Sequence, residues 1–142
     1  MKTMIVFSLA LLASTLHAAD DGRQLAPLPA AAEAALRAEM RANLLALNEI
    51  LGLVAAGKLK EAGEVAESEL GVSAMGKHRG QPLAARPGPH MPPAMHATGM
   101  DGHRAASEFA RIAASGDREQ TIAALPSLTS GCVACHYAYR IR

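Results

Sequence analysis

Between Ala30 and Ala56 the chain has no proline and no run of β-branched residues, and apolar residues fall at Leu36, Met40, Leu44, Leu47, Leu51 and Val54. Steps of four and three place these on one stripe of a long helix. Glu33, Arg37 and Arg41 sit off that stripe, and Gly57 stands where a helix-stopping glycine is expected. A shorter helix is predicted from Leu59 to near Leu70, ended by Gly71. Residues 71–92, GVSAMGKHRGQPLAARPGPHMP, are rich in Gly and Pro and show no period. They predict a long irregular connection, either functional or crossing over the other elements. A third helix is predicted from Pro93 to Ser115, stopped by Gly116. A fourth starts near Asp117, a good N-cap, with Glu119 in its first turn. Pro126 is expected to kink or split it, so that its second part carries Cys132 to Arg140. Four helices without a strand signal predict an all-α fold, an antiparallel four-helix bundle.

The first residues, MKTMIVFSLALLASTLHA, add a lysine, an apolar run from Met4 to Ala13 and a small, polar end. That is the layout of a secretory signal peptide, 1–18, with cleavage after Ala18. The apolar run is too short for a permanent membrane anchor. A single domain, 19–142, is expected outside the cytosol. Cleavage would remove Lys2 from fourteen basic residues, leaving thirteen against thirteen acidic ones. A chain so balanced gives no electrostatic case for nucleic acid or an anionic membrane surface. Half of the residues are hydrophobic, yet aromatics make up only 3% and Trp is absent. Alanine-rich helices alone leave a thin core, which suggests that a bulky group other than an amino acid fills it.

Both cysteines of the chain lie in Cys132-Val133-Ala134-Cys135-His136, the C-x-x-C-H pattern of covalent c-type haem attachment. On a helix, positions 132, 135, 136 and 139 fall on one face. Two thiols three apart can each add to one haem vinyl group, and the imidazole that follows then ligates the iron. A disulfide inside a helix would be strained and would close too small a loop to stabilise much. A thioredoxin-like dithiol expects a βαβ context and a helix N-terminus. A zinc site needs further ligands, usually a second Cys pair.

A helical bundle ending in Cys132, Cys135, His136, Tyr139 and Arg140 resembles the cytochrome c-prime family of four-helix-bundle c-type cytochromes. The resemblance implies one covalent haem c at Cys132 and Cys135, with His136 as proximal ligand. In that family the first helix supplies the residue on the far side of the haem. A methionine there implies a six-coordinate, low-spin electron carrier, and a nonpolar residue an open iron that binds small gases. Met40, followed by Arg41 and some four turns before Gly57, is similar to the low-spin, Met/His-ligated branch. Met40 is alternatively a core filler, with Leu44 facing the iron. Neutral Met opposite His raises the reduction potential, which suits electron transfer. Arg37, Arg41 and Arg140 are candidates for pairing with a haem propionate, or else solvated surface residues.

His90, Met91, Met95, His96, Met100 and His103 form a soft-ligand cluster of the kind that takes copper. On an ideal helix His96, Met100, His103 and Ser107 share a side roughly opposite Phe109, predicting an exposed stripe. That stripe reads equally as a subunit contact, since the resemblance implies dimers as a common state. His78 and His90 are alternative distal ligands or surface residues. No nucleophile with a base and no paired carboxylates occur in a credible arrangement, so no enzyme is expected. The leading expectation is a periplasmic monohaem electron-transfer cytochrome working with redox partner proteins. A haem protein binding nitric oxide or carbon monoxide, or a copper-binding protein, are the alternatives.

Overall fold

A computed structural model describes residues 20–142; the expected signal peptide, 1–18, lies outside the described residues. The described chain is mostly helical. A two-residue strand β1 (Gln24–Leu25) precedes α1 (Ala30–Ala55) and α2 (Leu59–Val65), which continues as a π-helical turn, Ala66–Leu70. Then come α3 (Pro93–Ala114), α4 (Arg118–Ala138) and a second two-residue strand, β2 (Tyr139–Arg140). Residues 71–92 hold only three short 3-10 turns, as their lack of period predicts.

Local chemistry explains the helix ends. Gly57 adopts φ +76°, and its N–H donates to the Val54 carbonyl while that of Lys58 reaches back to Leu53. This is the Schellman arrangement, which satisfies carbonyls that the end of α1 would otherwise leave unpaired. Asp117 caps α4, its Oδ1 accepting from the Gln120 N–H at 2.9 Å. Pro126 does not split α4, which runs through it to Ala138. Its ring is exposed, and the helix on either side packs on α3. Tertiary packing thus overrides a break that the sequence predicts.

The main core joins Ile50 and Val54 of α1, Leu59 and Ala62 of α2, Ala106, Phe109 and Ala113 of α3, and Leu128 of α4. Phe109 is 1% exposed and is the largest fully buried side chain. The buried line of α1 runs through Ala32, Leu36, Ala46, Ile50 and Val54, rotated from the predicted stripe. Leu44 and Leu51 of that stripe are 68% and 44% exposed. Small Ala32 and Ala46 allow close packing on one side, and the larger residues beside them are left uncovered.

Two features set the position of α4. A Cβ on Gly131 would stand 3.0 Å from the Gly102 Cα and 3.6 Å from the Thr98 carbonyl oxygen, so a glycine lets α4 lie directly on α3. At the end of the chain β1 and β2 pair in parallel, Gln24 with Tyr139 and Leu25 with Arg140. The sequence carries no strand signal there, because two residues are too short for a period. The irregular 71–92 segment passes over α1: its turn Leu83–Ala85 packs on that helix. Lys77 Nζ and His78 Nε2 also reach the Glu39 carboxylate at 3.4 and 3.0 Å.

Candidate functional site

The last turns of α4 present the C-x-x-C-H residues. Cys132 is exposed, Cys135 half-buried, and both are free thiols. His136 is exposed, and its ring has no hydrogen-bond partner among the described residues. Cys132 and His136 are neighbours four apart on the helix, with Cys135 alongside. Tyr139 departs from the predicted shared face. The helix ends at Ala138, and Tyr139 turns extended (φ −126°, ψ 150°) because its backbone joins the strand pair.

Cys135 belongs to a second, smaller apolar nucleus. Ala26, Leu36 and Met95 are its buried members, and Leu28, Met40, Met91, Cys135, Tyr139 and Ile141 pack against them. The nucleus therefore gathers Met40 from α1, Met95 from α3 and Cys135 from α4. Leu44, one turn beyond Met40, is not part of it. It lies instead in an open depression of about 480 Å³ with Arg41, Leu45 and Asn48. Burial pushes the Cys135 thiol above its ordinary pKa, and the adjacent Cys132 adds to this. Proximity to a helix C-terminus also disfavours a thiolate. Among the described residues, no three His, Cys, Asp or Glu side chains gather to hold a metal ion.

Beside His136 an open depression of about 600 Å³ is lined by Asp21, Gly22, Arg23, His136 and Tyr137. Arg23 pairs with Asp21 at 2.7 Å, and its Nη1 donates to the His136 carbonyl at 3.4 Å. The hydrogen bond from the Arg23 side chain holds the Asp21 carboxyl down to about 2, with further help from the Arg23 backbone N–H. Arg140 Nε is buried without a hydrogen-bond partner among the described residues, the Asp21 carboxylate lying 3.9 Å away. Of the arginines expected to meet an anion, Arg140 is thus unsatisfied. Arg37 is committed to Glu33 at 2.9 Å, a carboxylate that Arg142 also binds at 2.6 Å. Arg41 is exposed. Arg23 was not legible as a site residue, since only the β1–β2 pairing brings the start of the described chain to the end of α4.

The His/Met cluster divides instead of forming an exposed stripe. Met91 and Met95 turn inward to the small nucleus. His103 Nδ1 is 2.7 Å from the Leu70 carbonyl oxygen, and Ser107 Oγ accepts from the Val72 N–H at 2.9 Å. These two α3 residues bind the chain as it leaves the π-helical turn. Only His96 of the proposed stripe is exposed, while Met100 is half-buried. His90 Nε2 lies 3.1 Å from the Leu83 carbonyl oxygen, and His78 faces Glu39. Among the described residues no helix is long and apolar enough to cross a membrane. No family model, curated protein or solved structure matches the chain.

Proposed function

We propose that this chain is a periplasmic monohaem c-type cytochrome that carries electrons between redox partner proteins. In this reading the four helices form an antiparallel bundle of the cytochrome c-prime kind. Haem c is bound through thioethers to Cys132 and Cys135, with His136 as proximal and Met40 as distal ligand. One observation carries the reading: the C-x-x-C-H residues sit on the last turns of α4 with Cys132 and His136 open, while Met40 joins Cys135 on one nucleus.

The residues present fit such a group in three further respects. Cys132 is exposed and Cys135 only half-buried, which leaves both sulfurs accessible to the vinyl groups they would bind. Arg140 offers a buried, unpartnered N–H suited to a carboxylate such as a propionate. Leu44, Leu51, Val133 and Tyr137 leave apolar surface uncovered on α1 and α4, the helices that carry the ligands.

When bound, the haem supplies a one-electron couple whose potential the ligands and their surroundings set. The chain's own residues do the rest. Cys132 and Cys135 prevent loss of the group, and His136 and Met40 contribute neutral donors, a combination that raises the potential. Leu36, Met95 and Ala26 limit water on the Cys135 side, while Arg23, paired with Asp21, donates to the His136 carbonyl.

Optical spectra of the purified protein, oxidised and reduced, with and without carbon monoxide, test this reading. Low-spin bands indifferent to the gas support it. A high-spin spectrum that shifts with carbon monoxide would replace it with a gas-binding protein, and absence of covalent haem would end it.

A further inference from the structure

From Gly71 to Met100 the chain carries Lys77, Arg79 and Arg86 and no aspartate or glutamate. The other residues after position 18 hold ten basic against thirteen acidic side chains. A chain of balanced net charge is thus divided, its positive surplus concentrated in the stretch that leads from the π-helical turn into α3.

Charges on a loose loop would be no more than a solvated surface. Here they are held in place. Successive turns close where Arg79 donates its N–H to the Gly76 carbonyl at 2.9 Å and Gln81 to that of His78 at 2.9 Å. Arg86 follows with its N–H on the Leu83 carbonyl at 3.1 Å. Gly76 adopts φ +77°, and a Cβ there would collide with the Arg79 side chain, which lies back over the turn. Arg86 Nε donates to the Gln81 carbonyl at 2.7 Å. The turn Leu83–Ala85 packs on α1, and Lys77 and His78 fasten the start of the segment to Glu39.

Glu39 is the one carboxylate among the described residues that pairs with this segment, through Lys77 and His78. Arg79 and Arg86 meet none among those residues. Leu83, one turn before Arg86, is 61% exposed. An exposed apolar residue with guanidinium groups nearby along the same turns is the complement of an acidic protein face. The surface also adjoins the candidate site. Glu39 directly precedes Met40, and Met91 beyond the last turn packs against the nucleus that Met40 and Cys135 also touch.

We propose that residues 77–86 are the docking surface for an acidic face of a redox partner protein. The inference rests on the electron-carrier reading and adds the charge of the partner to it. Opposite charge brings the two proteins together faster and in a preferred orientation, and salt weakens the attraction.

The test uses the mature holoprotein and, as probe, a labelled glutamate-rich peptide at low ionic strength. The peptide is expected to bind, with an affinity that falls as salt is added. Arg79→Gln/Arg86→Gln should weaken binding by about three- to tenfold, and Arg79→Lys/Arg86→Lys should retain it. Lys58→Gln/Lys60→Gln removes the same charge at the start of α2 and should leave binding unchanged. Electron exchange gives a second readout. The reduced protein gives one electron to ferricyanide, an anion that becomes ferrocyanide, or to tris(phenanthroline)cobalt(III), a cation that becomes cobalt(II). Arg79→Gln/Arg86→Gln should slow the first reaction and speed the second. Absence of peptide binding, equal weakening in Lys58→Gln/Lys60→Gln, or rates moved alike with both reagents would overturn the inference. Loss of binding in Arg79→Lys/Arg86→Lys would overturn it too, by making the turn geometry decisive and not the charge. So would binding to phosphatidylglycerol vesicles that Arg79→Gln/Arg86→Gln abolishes, which would assign the surface to a membrane. A chain without covalent haem would end the electron-carrier reading and the redox character of the partner, while peptide binding would still decide the acidic docking surface.

Discussion

Met40 in the middle of α1 and Cys135 near the end of α4 pack against one buried nucleus, formed by Ala26, Leu36 and Met95. Nothing local links them. The meeting depends on α4 lying close on α3 through Gly131 and on the strand pair that draws Ala26 to the end of α4. Ala26 donates its N–H to the Arg140 carbonyl at 2.8 Å, so the segment holding β1 is a strap across the end of α4.

Cys132→Ser/Cys135→Ser is expected to abolish covalent haem, measured by the mass of the denatured chain. His136→Ala should keep at least part of the covalent haem and lose the native low-spin spectrum. A native spectrum in His136→Ala would exclude it as proximal ligand.

Gly131→Ala should push α4 off α3 beside Cys132. Overpacking of this kind costs about 1–3 kcal/mol, read as a lower Tm. Gly102→Ala is the contrasting variant, because a Cβ there meets nothing within 4 Å. Exchanging a helix-interior glycine for alanine should there stabilise by about 0.5–1 kcal/mol. Equal losses in both variants would contradict the close-approach account.

Acid should loosen the strap. Asp21 has its pKa lowered from 3.8 to about 2 by Arg23, so its contribution is complete above the unfolded value. It is lost as pH falls through the interval between 3.8 and about 2. Amide exchange at Ala26 is expected to quicken over that interval, relative to the intrinsic rate at each pH, and less so in Asp21→Asn. Because the pair is solvent-exposed, added salt should weaken the effect. Protection that ignores both pH and Asp21→Asn would show that the ion pair contributes nothing to the strap.

Asp117→Ala removes the side chain that caps α4 and should cost about 1 kcal/mol in chemical denaturation. Thr121, fully buried, donates its hydroxyl to the Asp117 carbonyl at 2.6 Å and should keep the first turn formed. An unchanged denaturation midpoint would mean that Thr121 and the Asp117 backbone suffice.

The helices were legible because their signals are local. The Gly57 stop, the Asp117 cap and the start of α3 at Pro93 stand within a residue of where the sequence predicts them. Periodicity failed where burial depends on which helix lies opposite. Leu44 and Leu51 fit the stripe of α1 yet stay open, while Ala46 and Ile50, off it, are buried. The predicted stripe of His96, Met100, His103 and Ser107 failed for the same reason: the chain leaving the π-helical turn binds His103 and Ser107, and Met100 is half-buried. Cys132, Cys135 and His136 were legible as a motif, since their spacing is chemical and needs no tertiary partner. Arg23 and the β1–β2 pair were not, because each depends on a contact between the two ends of the described chain.

The most direct test of the central claim is the mass of the mature chain purified from the periplasm and measured after denaturation and thiol alkylation. The account predicts one haem added to the chain and no alkylated cysteine. A chain of unmodified mass carrying two alkylated thiols, at Cys132 and Cys135, would contradict it.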